Sequence, residues 1–206
     1  MDLRAPAILL SARAHGETAV IARLLTEQYG VVAAYVAGGR GRVLRPIVIP
    51  GNLVEAQLRA KSDSQLPFAR LELLESRGPW LSEPLPAAAI QWVTALTASA
   101  LPERSPYPAL FNALQGVLTA ICQAPSARGW ARGLLVYEAL LLREMGYGGM
   151  RPEAESLADI VAAMEKLEAP IAQYLLTGRT RQAAGQVQGQ TMAARGALLA
   201  RLRRMI

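Results

Sequence analysis

Gly38-Gly39-Arg40-Gly41-Arg42 is the stretch whose residue types best suit a chemical task. Three glycines in four positions leave backbone amides open to an anion, and two guanidinium groups flank Gly41. The segment therefore reads as a phosphate-contacting loop. Its competing reading is a flexible hairpin carrying solvated charges. No Gly-Lys-Ser/Thr follows, which excludes a Walker-type nucleotide loop. The glycine spacing and the lack of a suitably placed acidic residue exclude a dinucleotide fingerprint. Tyr35, just before the loop, is the aromatic expected to be exposed and to stack on a base. A second basic group, Arg195, Arg201, Arg203 and Arg204, sits on an expected terminal helix over residues 192–205. Residues 175–206 hold six arginines and no acidic side chain.

Other chemistries find little material. The single histidine, His15, stands two residues from Glu17 on an expected turn, where it caps or faces solvent. The three aspartates, Asp2, Asp63 and Asp159, are far apart and show no metal-ligand spacing, so two-metal hydrolysis is not expected. The one cysteine, Cys122, lies in an apolar helical pattern and reads as a buried thiol. It cannot form an internal disulfide or a thiolate zinc cluster. The expectation is a protein without catalytic residues, metal or cofactor. A net charge of +6, concentrated toward the ends of the chain, favours a polyanionic partner. The opening residues do not resemble a signal peptide, and no run reaches membrane-spanning length, so the expected compartment is the cytoplasm.

The elements that must position these residues fall into two groups. Apolar or alternating runs at residues 7–10 (continuing to about 13), 31–36, 53–61 and 68–74 read as strands. Residues 18–28 suit a strand or a short helix. Over residues 68–74, Phe68, Arg70, Glu72 and Leu74 alternate with Ala69, Leu71 and Leu73. Such a series suits a small β-barrel. The proline-rich stretch 78–86 is the expected boundary. Helical patterns follow at 87–101, 107–121, 130–145 and 153–176, the last interrupted at Pro170, before the terminal helix. The segment 130–145 is apolar on so many sides that it should be central. The fold class expected is α+β, with a barrel domain over 1–79 and a helical domain over 80–206.

Three segments carry a resemblance. The run ILLSARAHGETAVIARLLTEQYGVVAAYVAGGRGR, residues 8–42, is similar to the amino-terminal part of the RecO family of DNA repair proteins. VYEALLLREMGY, residues 136–147, looks like the family's central helix, and ARGALLARL, residues 194–202, like its closing helix. The resemblance implies an oligonucleotide/oligosaccharide-binding (OB) fold followed by helices. It implies binding to single- and double-stranded DNA, annealing of complementary strands, and help in loading a recombinase. Its implied partners are the recombination mediator RecR and the tail of single-strand-binding protein. The family's basic loop falls on Arg40, Arg42 and Arg45, with Arg13 as an addition. The sequence departs from the family after Tyr147, where no cysteine cluster is present, so a structural zinc is not expected. The loop is also less charged than usual for the family. The reading from sequence is a non-catalytic DNA-binding mediator. The alternative is a protein–protein adaptor with a degenerate barrel and no DNA binding of its own.

Overall fold

In the computed structural model, residues 2–62, 65–148, 152–176 and 181–206 are described, with the side chains of 181–188 excepted. The chain divides into two compact units: Met1–Ser82 with Leu101–Phe111, and Glu83–Ala100 with Asn112–Ile206.

The first unit is built from β1 (Asp2–His15), β2 (Ala19–Thr26), β3 (Gly30–Val36), β4 (Leu53–Arg59) and β5 (Phe68–Glu75). The ambiguous segment is strand β2. It pairs antiparallel with β1 on one side and β3 on the other, so both edges of its backbone are satisfied in a ladder. Residues such as Leu9, Ala22, Leu24, Val32, Ala34, Val54 and Leu58 alternate inward and form the core. Burying each such leucine contributes about 1.5–3 kcal/mol.

The strand order runs as a ring, β1-β2-β3-β5-β4, with β4 returning to β1. Four of these pairings are antiparallel ladders of seven or eight residue pairs. The β3–β5 pairing is parallel and consists of one register pair, Tyr35 opposite Phe68. The Tyr35 N–H donates to the Pro67 carbonyl there at 2.8 Å. The sheet is mixed and closed, and its β3–β5 junction is a seam of one parallel register pair rather than a continuous ladder. Two local features limit the seam. Pro67 has no N–H to extend the ladder before β5. Gly38, at φ +67°, turns the chain away just after β3. Residue alternation within a strand cannot reveal how far two non-consecutive strands run together.

The second unit contains α1 (Pro84–Ala100), most of α2 (Pro108–Gln123), α3 (Ala131–Glu144), α4 (Leu157–Lys166), the single turn α5 (Glu168–Pro170) and α6 (Arg181–Arg203). A π-helical turn, Ile171–Leu175, follows Pro170. The interruption expected at Pro170 is thus a change of helical winding. Ser156 caps α4 through a reciprocal capping box with Asp159. Helix α3 buries Leu134, Leu135, Tyr137, Glu138, Leu141 and Leu142. Helix α6 begins before the expected terminal helix and brings Leu198, Leu199 and Leu202 into the core.

Candidate nucleic-acid interface

The arginine-bearing segment between β3 and β4 is a series of turns fixed from both sides. The Gly39 N–H donates to the Val36 carbonyl at 3.3 Å, the Arg40 N–H to Thr18 at 2.9 Å, and the Gly41 N–H to Gly38 at 2.8 Å. The amides of Gly39, Arg40 and Gly41 are therefore spent inside the protein. Further along, the Arg45 N–H donates to the Gly41 carbonyl at 2.9 Å and the Val48 N–H to Leu44 at 2.8 Å. Leu44, Ile47 and Val48 pack against the strand core. Buried Asn52 completes the anchor: its amide donates to the carbonyls of Pro46 and Ile47, both at 3.0 Å, and its Oδ1 accepts from the Arg77 N–H at 2.7 Å. The segment is neither a flexible hairpin nor an amide cradle. What it presents outward is side chains.

Arg40, Arg42 and Arg45 are exposed. Arg40 donates through Nη1 to the Glu17 carbonyl at 3.1 Å, which ties the segment to the β1–β2 turn. Arg45 donates through Nη2 to the Arg40 carbonyl at 3.3 Å. Arg13 is exposed near the end of β1. Among the described residues none of these four arginines forms an ion pair, unlike Arg4 with Glu55 or Arg23 with Glu103, each at 2.7 Å. Their charge remains available to a phosphate.

An aromatic row adjoins these cations. Arg13 stands opposite Ile21, Ile21 opposite Tyr35, Tyr35 opposite Phe68, and Phe68 opposite Arg59. Directly opposed residues share a face of the sheet. Tyr35 is half-buried, not the exposed ring expected from sequence. It lies edge-on between His15, at a centroid distance of 5.9 Å, and Phe68, at 5.2 Å. The open ring is Phe68, which is 63% exposed. Its signal was present in the sequence: alternation places Phe68 on the same face as Arg70 and Glu72.

The terminal arginines divide. Arg195 is fully buried, which removes it as a DNA contact. Its Nη2 donates to Glu138 Oε2 at 2.9 Å and to the Met164 carbonyl, and its guanidinium lies 5.5 Å from the Trp92 ring centroid. Trp92 Nε1 donates to Glu138 Oε1 at 2.7 Å. Burial pushes the Glu138 carboxyl up from its ordinary pKa, while the charge and hydrogen bond of Arg195 and the bond from Trp92 pull it back. Arg203 is exposed but paired with Glu165 at 2.6 Å. Arg201 donates back to the Ala197 carbonyl of its own helix at 2.9 Å, and Arg204 is exposed. A basic count along α6 could not tell the inward arginine from the outward ones. The pattern that could is its spacing: Arg195 lies three, four and seven residues before Leu198, Leu199 and Leu202.

Among the described residues no three His, Cys, Asp or Glu side chains cluster as metal ligands, and no helix is long and apolar enough to cross a membrane. His15 is exposed and makes the ring contact with Tyr35.

Residues 1–77 match the family model described as "Recombination protein O N terminal", and residues 82–149 match "Recombination protein O C terminal". The DNA repair protein RecO of Caulobacter vibrioides (strain NA1000 / CB15N) is 40% identical over 149 residues, covering 72% of this chain and 60% of the relative. That of Rhodospirillum centenum is 42% identical over 149 residues, covering 72% and 58%. That of Gluconacetobacter diazotrophicus is 37% identical over 151 residues, covering 72% and 59%. The match thus spans about three fifths of the length of these relatives, 58–60%. With two family models matching in order and relatives at this identity, the chain belongs to the RecO family.

Proposed function

We propose that this protein is a non-catalytic, DNA-binding recombination mediator of DNA repair, acting in the cytoplasm. It binds single- and double-stranded DNA through phosphates, anneals complementary strands and helps load a recombinase, in concert with RecR and the tail of single-strand-binding protein. In this reading the strand region, residues 1–79, holds DNA, and the helical region, residues 80–206, holds protein partners. Family membership supports the general role. The observation that carries the DNA reading is the exposed, unpaired set Arg13, Arg40, Arg42 and Arg45 on an anchored surface. Cations held against two strands lower the repulsion between their phosphates, which is the physical basis of annealing. Because the amides of Gly39, Arg40 and Gly41 are internally bonded, affinity depends chiefly on the side chains.

The test is a salt series of binding to single-stranded and duplex DNA. Changing Arg40 and Arg42 together to alanine should weaken binding to all sequences alike. It should also reduce the log–log salt slope by about 1.4–1.8, two phosphate contacts' worth. Unchanged affinity and slope would remove the loop from the interface. The adaptor reading keeps one supporting observation: Arg195 and Arg203 are spent on ion pairs with Glu138 and Glu165. It requires that the folded protein fail to bind either form of DNA in dilute buffer.

A further inference from the structure

We propose that Phe68 is a stacking platform for one unstacked nucleobase, so that the protein distinguishes a strand that carries bases from an equally charged backbone without them. The inference rests on the DNA reading above and names what the strand unit recognises beyond phosphate.

The alternation of β5 sends Ala69 and Leu71 into the core and leaves Phe68 outside with Arg70. Folding therefore gains little from a phenyl ring that stays 63% exposed. The ring is nonetheless braced. Tyr35 meets it edge-on at 5.2 Å and 70°, and Tyr35 is itself backed by His15 at 5.9 Å and 88°. A lone surface phenylalanine would need no explanation. A braced one at the rim of an open depression is a different case. That depression has a volume of about 840 Å³, and its walls include Arg59, Lys61, Leu66 and Phe68, with Asp2 as the one carboxylate among the described residues that line it. It has room for a base with its sugar.

Charge identifies the occupant. Lys61 and Arg70 are exposed and form no ion pair among the described residues, while Arg59 is 3.5 Å from Asp2, with both side chains largely in water. An aromatic face flanked by cations suits a base whose neighbouring phosphates reach those cations. A neutral apolar ligand would leave the cations unused. An acidic peptide without apolar side chains would leave the ring face unused. In a duplex both faces of each internal base are already stacked, so the platform is available only to a single strand or an end.

The experiment uses the full chain and fluorescence anisotropy at fixed low salt. The three probes are a labelled thymidine 20-mer, an abasic 20-mer of equal length, and a 20-base-pair duplex. Wild type should bind the thymidine strand roughly 5- to 100-fold more tightly than the abasic one. Phe68→Ala should lower thymidine binding to the abasic level while leaving duplex affinity unchanged. Phe68→Trp should keep the preference. Wild type binding thymidine and abasic strands equally overturns the platform and leaves the phosphate reading standing. That comparison needs no variant, so misfolding of Phe68→Ala cannot obscure it. A Phe68→Ala protein of unchanged melting temperature that weakens on all three probes alike also overturns the platform. Wild type that binds none of the three removes the platform and the DNA reading together.

Discussion

The buried Glu138–Arg195 pair gives a test of sign as well as size. Arg195→Met keeps an unbranched stem beside Trp92 and removes the cation. Glu138, fully buried, then retains the Trp92 Nε1 bond at 2.7 Å and loses its countercharge. Removing one partner of a buried pair costs about 3–5 kcal/mol. The lower end applies here. Arg195 Nε and Nη1 find no hydrogen-bond partner among the described residues, and Nη1 is 3.6 Å from Glu168, so the native pair is incompletely satisfied. With a urea m-value of about 2 kcal/mol/M, a loss of about 3 kcal/mol lowers the midpoint by about 1.5 M. Adding Glu138→Gln should recover roughly 1–2 kcal/mol, because the amide still accepts from Trp92 and no unpaired charge stays buried. Urea unfolding followed by tryptophan fluorescence reads this, since Trp92 and Trp130 both lie in the helical unit. In Arg195→Met the pH dependence also has a fixed sign. Burial raises the folded-state pKa of Glu138, now without the opposing cation. The variant should therefore regain stability as pH falls from 7 toward the unfolded carboxyl value of about 4.3. Where folded, Arg195→Met should bind DNA as wild type does. Strictly additive costs for the two substitutions would refute the buried-pair account. Lost DNA affinity in a folded Arg195→Met protein would refute its removal from the interface.

Two further perturbations test the local physics. Gly30 has φ +67°, and a Cβ there would lie 2.0 Å from the Ser105 carbonyl oxygen, whereas Gly16, at φ +61°, has nothing within 4 Å. Gly30→Ala should therefore lower the melting temperature further than Gly16→Ala, whose cost is the left-handed strain of about 1–2 kcal/mol; equal shifts would show that the Ser105 contact yields. Ser156→Ala removes the cap of α4 and should cost about 1 kcal/mol. The hydrogen bonds from Ser156 also hold the Asp159 carboxyl below its ordinary pKa, so this contribution is present above the unfolded aspartate value and fades as pH falls through the lower folded one. The gap between thermal melts of the two proteins should narrow between pH 7 and pH 2, leaving the bond from the Asp159 N–H to Ser156 Oγ, and a constant gap would refute the reciprocal cap.

What was legible in the sequence was whatever local pattern controls. Period-two alternation located β4 and β5, and apolar periodicity located α1, α2 and α3 to within three residues at each end. Residues 18–28 stayed ambiguous because both faces of β2 are largely covered, and a strand with no polar face loses its alternation. The seam between β3 and β5 was illegible, since its extent depends on where Pro67 and Gly38 interrupt two strands far apart in sequence. The loop arginines were legible as cations. The occupancy of the loop amides was not, because their partners lie at Val36, Thr18 and Gly38, a matter of turn geometry. A count of the six arginines of residues 175–206 does not separate Arg195 from the others, although only an inward-facing one can meet Glu138.

The same reasoning decides which aromatic residue can be probed cleanly. Tyr35 and Phe68 are the one register pair between β3 and β5 among the described residues, so the seam and the proposed platform share two side chains. They do not share them equally. Tyr35 is half-buried and touches both His15 and Phe68, so its removal takes packing from the seam and bracing from the ring together. Lost binding in such a variant would have two explanations. Phe68 offers most of its surface to water, and the backbone bond of the seam belongs to Tyr35 and Pro67. Truncating Phe68 thus removes the stacking face while that bond and the inward core of β5 remain. The separation of affinity from base preference therefore rests on Phe68, with the loop arginines as the independent measure of phosphate contact.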